Sequence, residues 1–164
     1  MIIILMGVSG SGKTTIGQLL AQDLGWPFYD GDDFHPQANI DKMRQGIPLT
    51  DADRDSWLTA LRRHIDTLLE NRQSVVLACS ALKQAYRDRL GGDRPEVRFI
   101  YLKGDYDLIR QRLQKRQGHF MSADLLKSQF ATLEVPEDVP NIDISQTPEI
   151  IVNSIKRALE LQKL

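Results

Sequence analysis

The chain has 164 residues, 41% hydrophobic and 26% charged, a size and composition that suit one folded domain and exclude disordered or fibrous classes. Its 21 Lys and Arg oppose 22 Asp and Glu, so the net charge of -1 sets up no broad field for nucleic acid or a membrane, and any bound anion has to be recognised locally. The single cysteine, Cys79, can form neither an internal disulfide nor a cysteine-rich zinc site, which points to a reducing, cytoplasmic setting.

Residues 1–5 are apolar but lack a basic n-region and run into glycines and Lys13 too soon for a signal peptide or membrane span. They predict a buried strand near 2–6. Gly7-Val-Ser-Gly-Ser-Gly12-Lys13-Thr14 then matches GxxxxGK[ST] at every fixed position and leads into a predicted helix, the context this phosphate-binding loop requires. Glycines let the backbone approach phosphate oxygens, and Gly7, Ser9, Gly10, Ser11, Gly12 and Thr15 belong to the run whose amides and helix N-terminus converge on the anion. Lys13 is placed to reach the β- and γ-phosphates of ATP, and the Thr14 hydroxyl to reach Mg²⁺. A glycine-rich turn that binds nothing has no need of lysine followed by threonine.

A second strand near 27–30 ends in Asp30-Gly-Asp-Asp33. Composition alone reads this as a solvated Asp-Gly turn, but the carboxyl ends of parallel strands line the ligand crevice. Asp30 is therefore a candidate to hold Mg²⁺ through water, and Asp32 to accept or orient the proton of an attacking hydroxyl. Residues 31–50, rich in Gly, Asp, Pro, Asn and Gln, read as a loop able to close over a ligand. A helix follows over 51–70: Thr50 caps it with Asp53 three residues on, and Trp57, Leu58, Leu61, Ile65, Leu68 and Leu69 form its buried stripe, leaving His64 on the polar side.

The third strand, near 74–79, ends in Cys79-Ser80, where many motor-type ATPases carry an acid. Asp88-Arg-Leu-Gly91 fits the DxxG of GTPases but falls at the end of a predicted helix, and no NKxD follows anywhere, so GTPases are set aside. Strands near 97–102 and 141–144 complete the set. Between them lie a basic cluster, Arg110, Arg112, Lys115 and Arg116, and a second loop over 116–122. A last helix starts at Thr147-Pro148-Glu149 and buries Ile151, Ile155, Ala158 and Leu159. Strands alternating with helices predict an α/β fold on a parallel sheet, in a single P-loop domain over 1–164.

The chain closely resembles the gluconate kinases of the P-loop nucleoside-monophosphate-kinase and shikimate-kinase group. The resemblance spans nearly the whole chain and rests on the phosphate loop together with Asp30-Gly-Asp-Asp-Phe-His-Pro36, Asn39-Ile-Asp-Lys-Met43, Gly46-Ile-Pro-Leu-Thr-Asp-Ala-Asp-Arg54, Cys79-Ser-Ala-Leu-Lys-Gln-Ala-Tyr-Arg87, Arg116-Gln-Gly-His-Phe-Met121 and Ser128-Gln-Phe130. It implies transfer of the ATP γ-phosphoryl group to the 6-hydroxyl of D-gluconate, a three-layer fold with a five-stranded parallel sheet of order 2-3-1-4-5, a homodimer, and a mobile lid over about 112–130. By the same resemblance Arg112 covers the adenine and Arg116 swings in to meet the transferring phosphate. Gluconate's carboxylate needs a cation, for which Arg54 and Lys83 are the candidates, and its hydroxyls need polar contacts, for which His35 and His119 are. Gln129 stands where the shikimate kinases carry a carboxylate-binding arginine, and a neutral amide there suits a polyol. Two alternatives stay open: a kinase of the same fold for another small hydroxy acid such as shikimate, and a non-catalytic ATP-binding module.

Overall fold

The computed structural model describes residues 1–115 and 123–161. Five strands, β1 (Ile2–Met6), β2 (Phe28–Asp30), β3 (Val75–Ala78), β4 (Val97–Lys103) and β5 (Asn141–Asp143), form one parallel sheet in the order β2-β3-β1-β4-β5. Every residue of β1 is buried because the strand lies at the centre of the sheet with helices over both faces, which is why it reads as an unbroken apolar run.

The helices are α1 (Lys13–Leu24), α2 (Gln37–Arg44), α3 (Asp51–Glu70), α4 (Gln84–Leu90), α5 (Tyr106–Lys115), α6 (Ala123–Thr132) and α7 (Pro148–Ala158). Ile3 and Leu5 of β1 pack with Ile16 and Leu20 of α1, Ile109 of α5, and Ile151 and Ile155 of α7. Ile2, Ile4 and Met6 point the other way, onto Trp57, Leu58, Leu61 and Ile65 of α3 and Tyr86 and Leu90 of α4. The alternation of side chains along one strand thus divides two cores between the two faces. Cys79, just past β3, is fully enclosed in the second core as a free thiol.

The expected helix over 51–70 forms with those bounds, and its start carries a full capping box: the Thr50 hydroxyl accepts from the Asp53 amide at 3.1 Å and the Asp53 carboxylate accepts from the Thr50 amide at 2.9 Å. At α7, Thr147 caps and Pro148 takes the first turn, also as expected. Asp88 lies in α4, and Gly91 ends that helix, so the DxxG match is a helix terminus away from the phosphate loop.

Residues 31–50 depart from the loop expectation. They contain a 3₁₀ turn, Gly31–Phe34, and the helix α2. α2 buries only Asn39 and is fastened to α3 by polar contacts: Asn39 donates to the Asp53 carbonyl at 2.8 Å and Lys42 to the Asp53 carboxylate at 2.8 Å. A helix held in this way has no apolar stripe, so hydrophobic periodicity cannot reveal it. His64 is a second correction. Its ring packs on Tyr29 of β2 and Phe34 of the 3₁₀ turn, with Nε2 buried and lacking a hydrogen-bond partner among the described residues, so the half-buried side chain wedges against the acidic turn. Of the expected lid, Arg116 and His119 lie outside the described residues.

Candidate active site

The phosphate loop leaves β1 at Met6 and enters α1 at Lys13, with Gly12 in the left-handed region (φ 94°) at the cap position. At Gly7 a Cβ would stand 3.0 Å from the Leu102 carbonyl oxygen and 2.9 Å from the Ser11 hydroxyl, on a backbone at φ 151°, so the tight turn there requires glycine. Lys13 Nζ folds back to donate to the carbonyls of Gly7 and Val8, both at 2.9 Å, which holds its ammonium at the mouth of the loop. The Ser11 hydroxyl is buried without a hydrogen-bond partner among the described residues, an orphaned polar atom in the wall of the anion cradle.

β2 sets the acidic turn beside this loop. Asp30 Oδ2 accepts from the Thr14 hydroxyl at 3.0 Å, and its Oδ1 accepts from the Asp32 amide at 3.0 Å. One carboxylate and one hydroxyl in contact are a hard oxygen pair of the kind that holds Mg²⁺ together with phosphate oxygens and water. No group of three or more His, Cys, Asp or Glu able to hold a metal occurs among the described residues, so the donor set fits a phosphate-bridging ion and not an all-protein cage.

Asp32 projects from the 3₁₀ turn into the cleft. Its pKa is raised, first because the cleft walls exclude solvent around it and then by the charges of Asp30 and Asp33, while Lys13 pulls the other way. The side chain is itself 74% exposed, so water screens much of this effect while the cleft is open, and the effect grows when the cleft is filled. His35 lies deeper, with 4% side-chain exposure, stacked on Trp57 at 4.3 Å between ring centroids and 13° between planes. Burial, aided by the neighbouring Arg54 charge, lowers its pKa to about 4. The ring is therefore neutral near pH 7. Asn39 Nδ2 lies 3.1 Å from Nδ1, and an amide NH₂ can only donate, so this network assigns the proton to Nε2, on the side of Asp32.

A cavity lined by Ser9, Lys13, Asp32, His35, Arg54 and Gln129 joins the phosphate loop to the acidic turn. Trp57 forms part of its wall and donates from Nε1 to the Gly31 carbonyl at 2.8 Å, tying the 3₁₀ turn to α3. On the far side of the loop a second cavity is lined by Gly10, Ser11, Gly12, Thr15, Arg112 and Gln146. Arg112 donates to the Ile144 carbonyl at 2.6 Å. Two cavities meeting at one phosphate loop can hold a nucleotide on one side and an acceptor on the other.

Gln129, on α6, accepts from the Ser9 amide at 2.7 Å and so couples the phosphate loop to the helix at the end of the expected lid region. Lys83 is not brought into the acceptor cavity with Arg54. It pairs with Asp51 at 3.0 Å and lines a separate groove with Asp55 and Arg89. Trp57 lines the site and Tyr86 reaches it through Arg54, whose Nη1 donates to the Tyr86 hydroxyl, although the sequence pattern points to no polar role for either. A tryptophan in the apolar stripe of a helix looks like core alone, and Tyr86 was marked only by its place in the Cys79–Arg87 block.

The family model for shikimate kinase matches residues 9–138. The thermosensitive gluconokinase of Escherichia coli (strain K12) is 48% identical over 95% of this chain and 86% of its own length, and the gluconokinase of Gluconobacter oxydans (strain 621H) is 44% identical over 98% and 92%. The crystal structure of a gluconokinase from Sinorhizobium meliloti 1021 superposes with a TM-score of 0.84 at 40% identity, covering 99% of this chain and 97% of that one. Identity at this level over nearly the full length of each relative, on the same sheet and loop, places the chain in the gluconokinase family.

Proposed function

We propose that the protein is an ATP-dependent gluconokinase, transferring the γ-phosphoryl group of ATP to the 6-hydroxyl of D-gluconate to give 6-phosphogluconate and ADP. The observation that carries this reading is the acceptor cavity in which Asp32, His35 and Arg54 face Lys13 of the phosphate loop. The whole chain acts as one kinase domain with a lid over about 112–130.

In this reading the loop amides from Gly7 to Thr15 cradle the phosphates, and Lys13 exchanges its carbonyl partners for the β- and γ-phosphate oxygens. Thr14 and Asp30 would hold Mg²⁺, which would supply positive charge to offset that of the phosphates. Arg54 meets the gluconate carboxylate, His35 donates from Nε2 to a substrate hydroxyl, and Gln129 offers a neutral amide to the polyol. Lys83, neutralised by Asp51, stays in the outer groove and leaves the carboxylate to Arg54. Asp32 orients the 6-hydroxyl and takes its proton as the oxygen bonds to phosphorus and the bond to ADP breaks; a carboxylate of raised pKa is better matched to that task. Arg112 covers the adenine. Arg116 and His119 close with the lid, which excludes water and adds a cation only when both substrates are present.

The reading carries with it a homodimer and a cytoplasmic setting. The test is ADP release from ATP and Mg²⁺ with gluconate, shikimate, other sugar acids and nucleoside monophosphates in turn. Gluconate gives the largest kcat/KM; ADP release that does not depend on gluconate overturns the proposal.

A further inference from the structure

Arg54 is the cation that lines the acceptor cavity from α3, but its position is set by residues that do not line it. Arg54 Nη1 donates to the Tyr86 hydroxyl at 3.2 Å, and its guanidinium carbon lies 5.5 Å from the centre of the Tyr86 ring. A phenol has one proton to donate, and Tyr86 gives it to Asp51 in a short hydrogen bond. Asp51 is also ion-paired with Lys83, whose ammonium stands 5.7 Å from the same ring. The Asp51 carboxyl is held below its usual range, first by the Tyr86 hydroxyl and then by Lys83, so it remains an acceptor. Tyr86 is 5% exposed, and its ring is fixed in the core between α3 and α4.

These contacts form a chain, Arg54 to Tyr86 to Asp51 to Lys83, with every donor and acceptor directed. The charges also count. Asp51 balances Lys83, leaving one net positive charge, on Arg54, for an acceptor that carries one carboxylate. We infer that Tyr86, backed by Asp51, is a positioning residue that fixes the Arg54 guanidinium and thereby sets affinity for the acceptor's carboxylate. The inference rests on the reading of Arg54 as the carboxylate partner of gluconate.

A double-mutant cycle on the full chain tests it, with kcat and KM for gluconate taken from initial rates across a range of gluconate concentrations. Y86F keeps the ring and removes only the hydroxyl. It is expected to raise KM for gluconate about tenfold, with kcat within about twofold and KM for ATP unchanged, the size expected for losing a hydrogen bond to a charged group. On an R54A background, Y86F is expected to change kcat/KM by less than about twofold. D51N, which replaces the carboxylate acceptor of the phenol with a neutral amide oxygen, is expected to follow Y86F in direction. If Y86F leaves gluconate KM unchanged, or if the effects of Y86F and R54A multiply independently, the positioning role is overturned. R54A with unaltered gluconate KM refutes the assignment of Arg54, and a wild-type protein without gluconate-dependent ADP release refutes the proposed function.

Discussion

Replacing His35 with Gln should flatten the acid limb of the protein's stability profile. His35 is held neutral because its ring is buried against Trp57 and faces the Arg54 charge, with Asp32 at 3.9 Å too exposed to offset them. The pKa falls from the ordinary 6.5 to about 4 in the folded chain. Between those values the unfolded chain binds a proton that the folded chain refuses, so stability is fully present above about pH 6.5 and is lost as pH falls toward 4. At about 1.4 kcal/mol for each tenfold change in proton concentration, the full loss is about 3 kcal/mol, of which about 2 kcal/mol has gone by pH 5. With 4% of the ring exposed, water screens little of this effect.

The assay is urea unfolding of wild type and His35→Gln at about pH 7.5 and about pH 5. The variant starts lower, having lost the stacked ring, but wild type is expected to lose about 2 kcal/mol more than the variant between the two conditions. His64, whose pKa is also lowered by burial, contributes to both proteins and cancels in the difference. Parallel profiles for the two proteins refute the burial-lowered pKa of His35.

Lys13→Ala is expected to fold normally and to lose at least about a thousandfold in kcat, because the loop keeps its amides but loses the charge carried to the γ-phosphate; circular dichroism and ADP release together check this. Thr14→Val removes the hydroxyl that touches Asp30, and a titration of activity against Mg²⁺ should move to higher concentration by about tenfold. Gly31→Ala places a Cβ 2.6 Å from the Ala78 carbonyl oxygen, a backbone atom of β3 that cannot yield cheaply. Thermal unfolding should show a loss of about 1–3 kcal/mol, and kcat should fall with it because the strained turn carries Asp32.

The parts of the fold that were legible in the sequence are those where local chemistry and tertiary structure agree. β1 reads as buried because it is apolar throughout, and α3 reads to its first residue because Thr50 and Asp53 supply a complete cap. The loop at Gly7 to Thr14 is legible because each glycine answers a backbone demand and Lys13 and Thr14 a chemical one. α2 was not, since Asn39 and Lys42 fasten it through hydrogen bonds to Asp53 and no apolar stripe advertises it. Nor was the arrangement around Tyr86. Its partners Asp51 and Arg54 are 35 and 32 residues away in the chain, and only the packing of α3 on α4 brings them together. Placing Lys83 after the third strand suggested that it faces the acceptor; its capture by Asp51 depends on the same packing and could not be read from position.

Cys79 has a practical consequence. Burial pushes the thiol up to about 12, so near neutral pH it carries almost no thiolate, and it is enclosed in the core beside β3. A maleimide dye added to the folded protein therefore has no native target. A cysteine introduced on the surface of α6 or α5 becomes a unique attachment point without any need to mutate Cys79, and pairs of such labels can follow the distance between the two helices as substrates bind.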